Sequence, residues 1–231
     1  MNSERFAKPI SNLVIVIVVV AIALFSGLGF SSVPVSAKSG AIYKGSSEDK
    51  VSLMVNVYWG NEFVDEMLTI FADNEVKTTF FIGGTWAEKN EDLLEKIVQN
   101  GHELGNHGFF HKDHDKISLE RNREEIQATH ELIKSVCGVE MNLFAPPSGA
   151  YDETTLQVAQ SLGYATIMWS KDTIDWRDQD ENVIYKRATK NLAGGDLILM
   201  HPTRATVSAL DKIIKQIKKQ NLTVAPVSEV I

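Results

Sequence analysis

Four short stretches of this chain carry side chains that can do chemistry. In Asn106-His107-Gly108-Phe109-Phe110-His111, His107 and His111 stand four residues apart, a spacing that lets two imidazoles meet one divalent ion. Asp172-Thr173-Ile174-Asp175-Trp176 sets a carboxylate, Asp175, beside an indole, Trp176. Leu199-Met200-His201-Pro202 puts a histidine where an apolar run stops. Ala145-Pro146-Pro147-Ser148-Gly149 is a stiff turn, because proline fixes φ and glycine permits an unusual one. Each stretch also has a plain reading as a surface pair, a helix cap, a strand terminus or a loop. His102, His114 and His130 are taken as structural or solvated.

The elements around these stretches bring them together. Strands are expected at Val51–Val57, Val76–Ile82, His102–Asn106, Leu143–Phe144, Ala165–Trp169, Leu197–Met200 and Leu222–Val227. Helices are expected at Phe63–Phe71, Leu93–Val98, Leu119–Val136 (stopped by Gly138), Thr154–Leu162, Val183–Leu192 and Val207–Lys219. Strand and helix alternate about seven times, the signature of an α/β fold with a parallel sheet, open or closed as a barrel. In such folds the site lies at the carboxyl ends of the strands. All four stretches fall just after a strand. No internal repeat is visible.

The first residues have a different character. Arg5 and Lys8 precede a run of small and apolar residues from Leu13 to Phe30. A basic start followed by such a run is an export signal, and its length also suffices to cross a bilayer. Val35-Ser36-Ala37 offers a cleavage site. Residues 1–37 are therefore expected to be a signal peptide or membrane anchor, and 38–50, rich in Ser, Gly, Lys and Glu, a polar linker. Either fate of the segment places residues 51–231 outside the cytoplasm, secreted or held on the outer face of the membrane. The chain carries a formal charge of −7. Losing Arg5 and Lys8 together with Glu4 would leave −8, so nucleic acid is not an expected partner. The single cysteine, Cys137, excludes an internal disulfide.

From about Val51 onward the chain resembles the NodB-homology domain of polysaccharide deacetylases, carbohydrate esterase family 4. Gly101-His102-Glu103-Leu104-Gly105-Asn106-His107 with His111 is similar to the family's second motif. Pro146, Pro147 and Gly149 match the third, Asp175-Trp176 the fourth and Leu199-Met200-His201 the fifth. Trp59-Gly60-Asn61-Glu62, Asp172–Trp176 and Met200-His201-Pro202-Thr203 together look like a deacetylase-like group of spore-forming Gram-positive bacteria. The resemblance implies a single distorted (β/α) barrel with about seven parallel strands. It implies an N-acetylated envelope glycan, peptidoglycan or chitin-like, as substrate. Hydrolysis of its N-acetyl groups would use a divalent metal such as zinc. By position His107 and His111 would be ligands, His201 the acid that protonates the departing amine, and Asp175 its partner.

The chain departs from the family in its first and third motifs. Active members end the first strand with Thr-Phe-Asp-Asp-Gly; here the stretch is Asn56-Val57-Tyr58-Trp59-Gly60. Tyr58 stands in place of the base and Trp59 in place of the metal carboxylate. Ala145 replaces the arginine that tethers the base. Tryptophan cannot ligate a metal, and tyrosine does so only as phenolate. Two readings follow. One is a deacetylase, slowed by these losses, with Glu62 as substitute carboxylate. The other is a non-catalytic glycan-binding or scaffold domain whose groove is lined by Tyr58, Trp59, Pro147, Trp169 and Trp176.

Overall fold

The computed structural model describes residues 40–231. Its elements are β1 (Lys50–Val57), α1 (Asn61–Asp73), β2 (Thr79–Ile82), α2 (Gly84–Ala87), α3 (Glu91–Gln99), β3 (Glu103–Asn106), α4 (Leu119–Cys137), β4 (Leu143–Phe144), α5 (Glu153–Ser161), β5 (Ala165–Thr166), β6 (Lys171–Asp172), α6 (Glu181–Thr189), β7 (Leu197–Met200), α7 (Arg204–Lys219) and β8 (Thr223–Val224). The strands run in the order β5-β4-β3-β2-β1-β7-β6, with β8 beside the start of β1. Every pairing is parallel. This is the expected α/β architecture, a half-barrel whose open side lies between β5 and β6.

β1 explains how the sheet is packed on both faces. Side chains alternate across a strand. Val51, Leu53, Val55 and Val57 join the large outer core with the helices. Met54 points the other way, into a smaller inner core with Phe81, Leu143, Ala145, Ile167 and Leu197. Ser52 and Asn56 share the inward row. Phe81 of β2 lies across from Gly105 of β3, and a Cβ on Gly105 would sit 2.4 Å from the Phe81 ring. Only glycine fits there.

Several expected elements are shorter than read, for physical reasons. The strand expected at Ala165–Trp169 ends at Thr166; Ile167 N–H still donates to Phe144 O, and Ile167 also bridges Ile42. The two-residue β6 was not expected at all. Leu222–Val227 is a strand only at Thr223–Val224 and ends in a 3-10 turn, Val227–Glu229. Residues 40–49, expected to be linker, are tied to the barrel. Ile42 bridges Ile167 on one side of the opening and Lys44 bridges Asp196 on the other. Residues 1–37, expected to be signal or anchor, lie outside the described residues.

Candidate functional site

A cleft of about 390 Å³ opens at the carboxyl ends of the strands. Its walls come from the ends of β1, β6 and β7 and from the loops after β1, β3, β4, β5, β6 and β7: Asn56, Tyr58 and Trp59; His107 and His111; Ser148 and Gly149; Trp169; Asp172 and Trp176; Leu199 and His201. Of the residues singled out in the sequence, Tyr58, Trp59, Trp176, His107, His111 and His201 line it. Asp175 is fully buried behind His201. Pro147 is buried and does not line the cleft. Glu62, the carboxylate considered as a substitute, is exposed in the first turn of α1 and is also absent from the lining.

His107 follows β3 and is set by its backbone carbonyl partner. Its Nδ1–H donates to the Ala145 carbonyl at 2.7 Å, which leaves Nε2 with a free lone pair. His111 reaches back over it, ring centroids 5.1 Å apart and nearly edge-on. The return needs a left-handed backbone at His111 itself, φ 52°, beside Gly108 at 68°. Burial pushes both imidazoles below their ordinary range, His107 well below, and the neighbouring His111 pushes His107 further. A carboxylate from α4 holds the loop: Glu125 accepts the backbone N–H of Phe109 and of Phe110.

His201 is held more firmly. Asp175 accepts from its Nδ1 and from its backbone N–H, each at 2.7 Å. The Thr206 hydroxyl donates to the same carboxylate. Thr206 in turn is placed by the N-cap of α7, where Thr203 accepts from the Thr206 backbone N–H at 3.0 Å. The carboxylate fixes the imidazole tautomer and leaves Nε2 toward the cleft. The sequence motifs gave Asp175 and His201 but not Thr206; a helix N-cap three residues before it was the available signal.

The first-motif positions are filled by rings. Tyr58 packs 4.5 Å from His111, centroid to centroid, against the backbone of Gly83. Trp59 lies parallel over His201, 5.7 Å away with planes 9° apart. The Trp59 turn is locked in place. At Gly60, φ is 76° and a Cβ would come 2.1 Å from the Pro202 carbonyl. Left-handed residues gather in these loops: Gly60, Gly108, His111, Ser148, Gly149 and Ile174 all have positive φ. Glycine adopts such backbone freely, but at His111, Ser148 and Ile174 it is held only where the surroundings over-determine it, and such residues concentrate at binding and catalytic sites.

The donor set tests whether a catalytic metal fits. His107 and His111 converge, but no third His, Cys, Asp or Glu joins them among the described residues. A catalytic zinc keeps about three protein ligands. The residues of this cleft do not fit that centre.

The family model for polysaccharide deacetylases matches residues 43–167, more than half of the chain. The chain belongs to the polysaccharide deacetylase family. It is 38% identical over 191 residues to the uncharacterised protein YlxY of Bacillus subtilis, covering 82% of this chain and 60% of that one. It is 33% identical over 162 residues to a peptidoglycan N-acetylglucosamine deacetylase of Bacillus cereus, covering 68% and 59%. It thus spans about three fifths of the length of these two relatives. Among solved structures, a family 4 carbohydrate esterase pseudoenzyme from Bacillus anthracis superposes with a TM-score of 0.81 at 34% identity, covering 84% of this chain and 69% of that one. A mutant of that pseudoenzyme with restored enzymatic activity superposes equally well. PdaA of Bacillus subtilis, also a family 4 carbohydrate esterase, gives 0.78 at 27% identity, covering 84% and 85%.

Proposed function

We propose that this member of the polysaccharide deacetylase family is an exported protein that binds N-acetylated cell-envelope glycan without hydrolysing it at the family's rate. The carrying observation is the pair of rings in the first motif. Tyr58 and Trp59 stand where the carboxylates would be, and Trp59 is stacked over His201. A general base contributes on the order of 10² to 10⁴ in rate, so its loss alone takes turnover far below the family's. The pseudoenzyme among the relatives supports this reading.

A slow deacetylase is the second reading. It is favoured by the intact chain from Thr206 through Asp175 to His201. One experiment separates the two. Acetate release from N-acetylated chitooligosaccharide and from peptidoglycan is measured with and without added Zn²⁺, Co²⁺ and Mn²⁺, beside calorimetric binding of the same glycans. Binding with no measurable acetate is expected. Brisk hydrolysis abolished by Glu62→Gln would sink the binding reading. Export rests on the apolar run Leu13–Phe30 behind Arg5 and Lys8. Protease added to protoplasts should degrade the protein; full protection would place it in the cytosol.

A further inference from the structure

With rings in the first motif, Asp172 is the one acidic side chain that lines the cleft, and no lysine or arginine lines it. Asp172 ends β6 and is half-buried. Its Oδ1 accepts the Ile174 backbone N–H at 2.8 Å, and its Oδ2 makes no hydrogen bond among the described residues. Arg177, whose charge feels Asp172, pairs with Asp178 instead, through two contacts of 3.0 Å. The cleft therefore holds a carboxylate oxygen with no cation of its own.

Four aromatic rings share that cleft, Tyr58, Trp59, Trp169 and Trp176, so three of the chain's four tryptophans meet there. Their places are fixed. Trp59 is stacked on His201, and its turn is locked at Gly60. Trp169 lies against Gly149, where a Cβ would come 2.7 Å from the ring. Trp176 already carries a cation on its rim, the Arg177 guanidinium 5.9 Å from the ring centroid. Aromatic faces attract cations, tryptophan most strongly, and a carboxylate accepts a charged donor better than a neutral one. A metal ion is not the cation concerned, since the donor set offers too few ligands. A free carboxylate oxygen in a cleft walled by aromatic rings selects an organic ammonium.

We infer that the cleft takes the free amino group of an amino sugar, so that the domain recognises envelope glycan at units from which the acetyl group has already been removed. This rests on the glycan-binding reading above: the polymer is the same, and the ammonium marks where it has lost its acetyl groups. Trp59 and Trp176 are 42% and 56% exposed, flat faces on which the sugar rings that carry the amine can stack. The net charge of −7 draws any cation toward the chain. Asp172 and the rings supply the choice of this one.

The test is calorimetry on the full chain, at a pH that keeps sugar amines protonated. The ligands are fully deacetylated chitotetraose, its N-acetylated counterpart, and tetralysine as an ammonium without a sugar. The deacetylated tetramer is expected to bind at least tenfold tighter than either of the others. Asp172→Asn, which keeps the Oδ1 acceptor for Ile174, is expected to lose about tenfold for the deacetylated ligand and nothing for the acetylated one; Asp172→Ser serves if the asparagine variant does not fold. Equal or tighter binding of the acetylated tetramer overturns the inference and leaves the glycan-binding reading standing. So does an unchanged preference in the variant. Tetralysine binding as tightly as the deacetylated tetramer also overturns it, because net charge alone would then be the attraction. Absence of binding to either tetramer overturns both readings.

Discussion

His102 stands beside the site motif yet serves the fold. It is 6% exposed, packed between Phe71 and Phe80, and its Nδ1 accepts the Thr78 backbone N–H at 3.2 Å. Burial, with Lys77 adding to it, lowers its pKa from 6.5 to about 4. The unfolded chain therefore takes up a proton that the folded chain refuses. Stability is unaffected above about pH 6.5 and falls as pH drops toward 4, by on the order of 3 kcal/mol over the whole window. Urea unfolding at pH 7 and pH 5 should show about 2 kcal/mol of that loss, and His102→Gln should flatten it. An equally steep fall in the variant would assign it to other groups. Of the site residues, His107, His111, His201 and Asp175 were legible because they fall just after strands and in extended motifs. Asn56 was not. In sequence it is one polar residue inside an apolar strand, and nothing there says that it reaches the cleft wall.

Loops after the strands carry the departures from the family, and they set what can be restored. Tyr58 and Trp59 sit on one loop and Ala145 starts another, fully buried in the inner core. Ala145→Arg alone would bury an unpaired charge and should destabilise by about 3–5 kcal/mol. Adding Tyr58→Asp supplies the partner, so the double variant should recover part of that loss. With Trp59→Asp as well, acetate release is expected to rise, toward the general-base factor of about 10² to 10⁴ only if the loops keep the family geometry. A folded but silent triple variant would mean that the cleft has diverged beyond these three positions. Ile174 is a further check on loop strain. Its φ of 53° is rare for a β-branched residue, and the turn it makes aims Asp175 inward. Ile174→Asn, which tolerates that backbone, should stabilise the domain by about 1 kcal/mol in denaturant titration; a loss would show that the isoleucine's packing outweighs the strain. Long elements such as α4 and β1 were legible from periodicity. The two-residue β6 was not, since Lys171–Asp172 has no apolar pattern and pairs only because β7 is its neighbour.

At the scale of the molecule, the half-barrel leaves an opening between β5 and β6, and Ile42 and Lys44 bridge residues on either side of it. Composition alone made residues 38–50 read as linker, because hydrogen bonds made by backbone leave no trace in side-chain pattern. In the structure Ile42 N–H donates to Thr166 O and Ile42 O accepts from Met168 N–H, both at 2.8 Å. Gly45 N–H donates to Gly195 O, also at 2.8 Å, and a Cβ on Gly45 would come 2.1 Å from Val230 O. Lys44 adds an ion pair to Asp196 at 3.5 Å, but its side chain is half exposed and the pair contributes little. Three backbone hydrogen bonds at about 1 kcal/mol net each come to about 3 kcal/mol. For a domain of this size that corresponds to a fall in melting temperature of about 6–12 °C. The comparison is between a chain lacking residues 1–37 and one lacking residues 1–46, by scanning calorimetry. The shorter chain should melt lower by that amount. It should also bind glycan more weakly, because the segment Ile167–Met168, which leads to Trp169 in the cleft wall, loses its bridge to Ile42. Equal melting temperatures and equal affinities would return residues 40–46 to the role of linker.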